Sequence, residues 1–191
     1  MRLILFVIFL ATGILSFAAL YEVNFLNYSA PVPYSQVNKI SFRDFKGLKR
    51  PSQTLNGIQE FAFIETSRTI SNRSTSCIVT TYFHPSRSYV FNQHLRNHDL
   101  LSHELYHFHI AEYISRLMRK EIAGYEGKLT SNKIGYLRKK YEAIENEMQF
   151  SYDDETDHSY AFKQQRKWQA QIDSSLNSLD LFKDPVVILK Q

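Results

Sequence analysis

The chain has 191 residues, of which 43% are hydrophobic and 22% charged, so its composition is that of a folded globular domain rather than a disordered segment. Its single cysteine excludes an intramolecular disulfide and any cysteine-rich zinc module. The formal net charge of +4 is mild, and we expect no binding to nucleic acid.

The N-terminal segment differs from the rest of the chain. Residues 3–20 carry no charge and follow Arg2, a pattern typical of a secretory signal peptide, and Ser16-Phe17-Ala18 offers a small-x-small cleavage site. An uncleaved membrane anchor is the alternative, because about 18 apolar residues can just cross a bilayer. We therefore expect residues 1–20 to be a signal peptide or anchor and residues 21–191 to form one exported domain, periplasmic or extracellular.

A small antiparallel sheet is predicted ahead of the helices. Residues 21–56 indicate irregular structure or short strands. The runs 58–64 and 77–83 are rich in apolar, β-branched and aromatic residues, and the polar cluster 71–76 suits a hairpin between them. Cys77 falls in the second run, where we expect it to be a small buried hydrophobic residue. The second strand is also a candidate edge for pairing with an extended peptide.

Three helices are predicted in the second half of the chain. The first runs from a candidate N-cap at Asp99 to about Ala123. The second begins near 130–131 and carries an apolar stripe at steps of three and four residues, and the third covers about 157–179. The acidic stretch 152–157 is expected to separate the last two helices. The predicted fold class is α+β, a small antiparallel sheet followed by three long helices.

Five of the seven histidines fall within 94–109, and residues 103–107 form an H-E-x-x-H motif. Residues four apart lie on one face of a helix, so His103 and His107 can bind one zinc ion. Glu104 lies beside them, where it can take a proton from water without being a metal ligand. The competing interpretation is a surface helix with two incidental histidines. The many apolar residues around the motif argue for a buried helix instead.

A catalytic zinc site needs a third protein ligand and an open coordination position. The metzincin motif is absent, because no further histidine follows at the required spacing. The candidates for the third ligand are His158, Glu112, Glu147 and Asp153. On a helix Glu112 is turned about 140° from His107. We prefer His158, which lies at the predicted start of the third helix and is the only histidine downstream of the cluster.

Three motifs follow one another in the domain: aromatic-x-Asp-Phe-x-Gly at 42–47, the H-E-x-x-H segment at 100–112, and Tyr-Asp-x-x-Thr-x-His at 152–158. In this order they resemble a bacterial domain family described as predicted secreted zinc-dependent proteases. The resemblance covers residues 40–180, nearly the whole of the domain.

The resemblance implies a zincin-like fold, export, and a zinc site formed by His103, His107 and His158. The chain departs from the family pattern at two positions. His109 stands where an acidic residue is more usual, and Ser159 stands where glycine is common.

These features predict a zinc-dependent metallopeptidase that hydrolyses a peptide or protein substrate. Glu104 would accept a proton from zinc-activated water, and Tyr152 or Tyr160 would donate a hydrogen bond to the developing oxyanion. The first alternative is an exported zinc-binding module that catalyses nothing and holds its metal in a closed four-ligand site. The second is a membrane-tethered envelope protein whose histidine cluster binds no metal.

Overall fold

The computed structural model describes residues 2–22, 29–47, 62–91 and 97–190. Its fold is mixed α+β and 61% helical, with a small antiparallel sheet beside long helices, which confirms the predicted class at that level. The segment 29–47 contains one short strand and two 3-10 helices, Tyr34–Lys39 and Phe42–Asp44, as expected of an irregular stretch.

Helix α1 (Arg2–Glu22) covers the apolar N-terminal segment, and its side chains from Leu5 to Ser16 are all exposed. In the part of the chain that the structure describes, no helix combines the length and the hydropathy needed to cross a bilayer. The assignment of residues 1–20 as a signal peptide or anchor stays a prediction.

The sheet is built around strand β4 (Ser76–Phe83), which was predicted to within one residue. Alternate residues of β4 are buried, as expected of a strand with one face on the core. Strand β3 (Thr66–Asn72) pairs with one edge of β4, and β1 (Val32–Pro33) and β6 (Val186–Ile188) pair with the other. The prediction that this strand offers an edge to a peptide is therefore wrong, because both of its edges are occupied.

The predicted partner of β4 is also wrong. Within the predicted run 58–64, residues 58–61 lie outside the described residues, and β2 (Ala62–Phe63) pairs with β5 (Tyr89–Val90) instead. The hairpin partner is β3, in which Ile70 is the only large apolar residue. Because β3 is largely polar and only partly buried, its sequence lacks the alternation that marks a strand.

Helix α2 (His98–Gly124) carries the H-E-x-x-H motif, and its predicted extent is correct to within a residue or two. The N-cap is Asn97 rather than Asp99, because the Asn97 side chain accepts a hydrogen bond of 2.8 Å from the Leu100 backbone N–H. Asp99 lies in the first helical turn, where a carboxylate interacts favourably with the helix dipole.

Helix α3 (Ser131–Thr156) begins where it was predicted but continues through the acidic stretch, which was wrongly expected to be non-helical. Carboxylates near a helix C-terminus oppose its dipole, so the local sequence argues against a helix there. Packing outweighs this effect, since Tyr152 and Thr156 are fully buried one turn apart. The Thr156 hydroxyl donates a hydrogen bond of 2.6 Å to the Tyr152 carbonyl.

Helix α4 (Phe162–Ser178) begins about five residues later than predicted. Between α3 and α4 lie Asp157, His158 and Ser159, which all adopt left-handed backbone conformations with φ of 48°, 46° and 83°. Three consecutive residues other than glycine in this region are uncommon. His158 therefore lies in a tight turn and not at the start of a helix.

Helix α2 passes through both hydrophobic clusters of the domain. Near its N-terminal half, Phe108 packs in a cluster with Phe83 of β4. Farther along, Ile114 packs in a second cluster with Val79 of β4 and Leu137 of α3. The first turns of α2 are thus held between the sheet and the C-terminal end of α3, and this arrangement brings the residues of the motif next to the acidic stretch.

Candidate metal centre

His103 and His107 lie one turn apart on α2 and face each other through their Nε2 atoms, which are 3.3 Å apart. His103 is 2% exposed, and Glu104 beside it is 4% exposed. Helical spacing alone predicted that the two imidazoles would share a face, and the structure brings them together.

Asp153 approaches the same point from α3. Its Oδ1 atom lies 3.1 Å from His103 Nε2 and 2.9 Å from His107 Nε2. Among the described residues, His103, His107 and Asp153 form a group whose ligand atoms all lie within 4.8 Å of one another. Asp153 was one of the open candidates for the third ligand, and in the structure it is the one that joins the two histidines.

His158, the preferred candidate, lies beside this group but outside it. Its Nδ1 atom is 3.6 Å from Asp153 Oδ1, and about a third of its side chain is exposed. The turn that carries His158 is fixed by a hydrogen bond of 3.1 Å from its backbone N–H to the Asp153 carbonyl. The Tyr-Asp-x-x-Thr-x-His motif thus brings both its Asp and its His to the same place.

The two glutamate candidates lie elsewhere. Glu112 is 2% exposed and is held by Arg119 through contacts of 2.8 and 3.2 Å, by Arg116 at 3.1 Å, and by the Thr81 hydroxyl at 2.7 Å. These partners engage both of its oxygens, so Glu112 has no capacity left for a metal. Glu147 is exposed and does not line the cavity beside the histidines.

A cavity of about 300 Å³ opens next to the cluster. One wall is formed by α2 and α3. The other is formed by the segment 62–66, which contains β2 and runs to the first residue of β3. Among the described residues, Glu65, Glu104 and Glu145 line this cavity, and no lysine or arginine does. The described residues that line the cavity are Ala62, Phe63, Ile64, Glu65, Thr66, Leu100, His103, Glu104, His107, Glu145, Asn146, Gln149, Asp153 and His158.

Tyr152 and Tyr160 were expected to donate to an oxyanion, but neither lines the cavity. The Tyr152 ring is stacked on the His103 ring, with centroids 4.7 Å apart, and its hydroxyl donates to the His103 carbonyl at 3.4 Å. Burial raises the pKa of Tyr152. Tyr160 is 56% exposed. Tyr152 therefore supports the ring of His103 from behind.

Gln149 is a site residue that the sequence analysis missed. It lies on α3 one turn before Asp153 and contacts His107 through both ends of its side-chain amide. The spacing 149–153 is the signal that finds it, but only once the acidic stretch is recognised as helical.

The three side chains of the group shift one another's pKa values. Burial lowers the pKa of His103 to about 4, despite its hydrogen bond to Asp153. Burial also disfavours the charged form of His107, but the Asp153 carboxylate outweighs this effect and raises the pKa of His107 to about 9. Burial opposes ionisation of Asp153, yet the charge on His107 holds the pKa of that carboxyl below its ordinary value. A proton on His107 thus compensates the charge of the partly buried Asp153 carboxylate.

The donor set fits a divalent transition metal. Ligand bonds of 2.0–2.1 Å in tetrahedral geometry separate ligand atoms by about 3.3 Å. The separations of 3.3, 3.1 and 2.9 Å between the His103, His107 and Asp153 atoms lie close to that value. Two imidazoles and one carboxylate are a combination that suits zinc.

His109 and Cys77 are not part of the ligand group. His109 lies off the ligand face of α2, and its Nδ1 atom is hydrogen-bonded to the Tyr34 hydroxyl at 2.5 Å. Cys77 is fully buried, as predicted, and burial raises the pKa of its thiol.

No protein-family model, curated protein or solved structure matches this chain. The resemblance to the family of predicted secreted zinc-dependent proteases stays a prediction. What the site can do has to be argued from its own geometry and chemistry.

Proposed function

We propose that the protein is an exported zinc-dependent metallopeptidase of zincin type. The observation that carries the proposal is the convergence of His103, His107 and Asp153 at the edge of a cavity that Glu104 also lines. Three protein ligands leave a coordination position open, which is the arrangement of catalytic rather than structural zinc sites.

The residues that would hold zinc are His103, His107 and Asp153. A zinc ion bound there supplies Lewis acidity toward water and toward a carbonyl oxygen. Glu104, one position along the helix from His103, accepts a proton from the attacking water and transfers it to the departing amine. Tyr152 holds the His103 ring by stacking.

The substrate class is inferred from the cavity wall. Segment 62–66 lines the cavity, and β3, which starts at Thr66, has no partner strand on its outer edge among the described residues. An extended peptide can add to such an edge through main-chain hydrogen bonds. Because Thr66 lines the cavity, a peptide added at that end of β3 would reach the cavity that Glu104 also lines.

Export is the second part of the proposal. It rests on the uncharged stretch 3–20 behind Arg2 and on the exposure of the apolar side chains within residues 5–16 of α1, which the domain does not bury. Any contact with a membrane would be limited to this segment. Fractionation of cells that express the tagged full-length chain tests this part separately from the activity.

The decisive experiment for the activity combines metal analysis with a hydrolysis assay. The purified chain, dialysed against trace zinc, is expected to hold one zinc per molecule and to cleave an unfolded protein such as casein, with both properties lost in His103→Ala. Absence of zinc in the wild-type chain would overturn the proposal. Zinc without any cleavage across a broad peptide library would leave only a zinc-binding module.

That module is the second candidate function, and the position of His158 favours it. With Nδ1 3.6 Å from Asp153 Oδ1, His158 is near enough to complete a closed four-ligand site after a small shift. A closed site has no position for an added ligand. Replacing zinc with cobalt and titrating with acetohydroxamate separates the candidates, because only the open site changes its visible spectrum.

A further inference from the structure

Gln149 holds His107 with two hydrogen bonds. Its Oε1 atom lies 2.6 Å from His107 Nδ1, and its Nε2 atom donates to the His107 backbone carbonyl at 3.0 Å. The side chain thus bridges the ring and the main chain of the same residue, from the helix that also supplies Asp153.

The two contacts together fix which imidazole nitrogen keeps its proton when the other binds a metal. A backbone carbonyl can only accept a hydrogen bond, so the amide NH₂ of Gln149 must face it. The amide oxygen then faces His107 Nδ1, and because that oxygen can only accept, Nδ1 must carry the hydrogen. The proton that a metal replaces is therefore the one on Nε2, the atom that faces His103 and Asp153, because Nδ1–H stays engaged by Gln149.

We propose that Gln149 is a positioning residue that selects the metal-binding tautomer of His107 and fixes the direction of its ring. This inference rests on the proposed zinc centre. Residues that hydrogen-bond to the outer nitrogen of a metal-bound histidine commonly raise metal affinity, because they fix the ring before the metal arrives. Gln149 lines the cavity without belonging to the ligand group itself.

His103 is held by a different contact. Its Nδ1 atom is buried and has no hydrogen-bond partner among the described residues, and its ring is stacked on Tyr152 instead. Stacking fixes the plane of a ring but does not distinguish its two nitrogens. Of the two histidines, His107 is therefore the one whose outer nitrogen is held by a hydrogen bond, and Gln149 is the residue that holds it.

Zinc affinity of three variants of the full-length chain tests the inference, measured by competition with a chromophoric chelator. Gln149→Leu removes both hydrogen bonds and is expected to weaken zinc binding about 10- to 100-fold, the loss typical of such supporting residues. Gln149→Glu keeps an acceptor for Nδ1–H and should retain most of the affinity. Asn146→Leu makes the same amide-to-aliphatic change in the same cavity wall and should bind zinc like the wild type.

Thermal unfolding in excess chelator shows whether a variant is folded without metal, so a loss of affinity can be separated from a loss of structure. In the zinc-loaded wild type, ¹⁵N NMR should show His107 bound through Nε2 and protonated at Nδ1. Equal zinc affinity of Gln149→Leu and Asn146→Leu would overturn the role of Gln149 and leave the zinc centre intact. Absence of zinc binding in all four proteins would overturn both.

Discussion

Helix α2 carries two almost equally buried glutamates, eight residues apart, in opposite surroundings. Glu104, 4% exposed, lines the cavity beside the histidines, whereas Glu112, 2% exposed, is enclosed by Arg116, Arg119 and Thr81. A buried carboxylate is stable only if its negative charge is compensated. At Glu112 the two arginines and the Thr81 hydroxyl provide this compensation. Burial alone therefore does not identify a functional carboxylate. The arrangement of the groups around the carboxylate identifies it.

The largest effect is expected from a substitution of Glu104, and it concerns the rate of hydrolysis. Glu104→Gln is nearly isosteric but cannot accept a proton, so we expect hydrolysis to fall about 100- to 10,000-fold while zinc remains bound. Turnover of a fluorogenic peptide and metal analysis of the same sample measure the two quantities. Unchanged turnover would show that Glu104 is not the general base.

The second prediction concerns the ligand set around the same cavity. Asp153→Asn should weaken zinc binding more than about 100-fold, beyond the loss typical of a residue that merely supports a ligand. His158→Ala should retain one zinc per chain, since His158 lies outside the ligand group. Metal analysis after dialysis against a weak chelator distinguishes them. The reverse pattern would restore His158 as the third ligand.

A substitution of Glu112 is expected to change the stability of the fold. Glu112→Gln leaves Arg119, itself 1% exposed, without its charged partner, and should lower the free energy of unfolding by about 3–5 kcal/mol. Urea denaturation of the metal-free protein measures the change. Glu104→Gln is the matched control, and its unfolding midpoint should move far less. Equal destabilisation by both changes would mean that the two glutamates do not differ in role.

The smallest effect is expected at His84, which is a buried imidazole rather than a buried carboxylate. Burial, with a contribution from Arg87, lowers the pKa of His84, whose Nε2 atom is hydrogen-bonded to the Ser67 hydroxyl at 2.7 Å. Because the unfolded chain binds this proton more readily, the stability contributed by neutral His84 is lost as the pH falls below about 6.5.

The difference between the urea midpoints at pH 7 and pH 5, measured in excess chelator, should therefore be smaller for His84→Gln than for the wild type. An identical pH dependence of both proteins would contradict this assignment.

The sequence was sufficient to predict those features that depend on local spacing. Helical periodicity placed His103, Glu104 and His107 on one segment, and the strand at 77–83 followed from its apolar and β-branched residues. Both predictions concern side chains whose relative positions are set within a single helix or strand.

The remaining features depend on contacts between distant segments. Asp153 and Gln149 reach the site only because α3 continues through an acidic stretch that local preferences disfavour, held there by the burial of Tyr152 and Thr156. The partner of β4 was missed because β3 is polar. In both cases tertiary packing outweighs local propensity, and a single sequence does not display that balance.

The left-handed turn at Asp157, His158 and Ser159 has a consequence for rigidity. Each such residue costs about 1–2 kcal/mol in backbone energy, so the turn persists only because the helices on either side impose it. Glycine at 159 would relieve part of this strain but would add freedom to the unfolded chain and to the turn itself. With serine there, the turn that places His158 in the cavity wall has fewer accessible conformations.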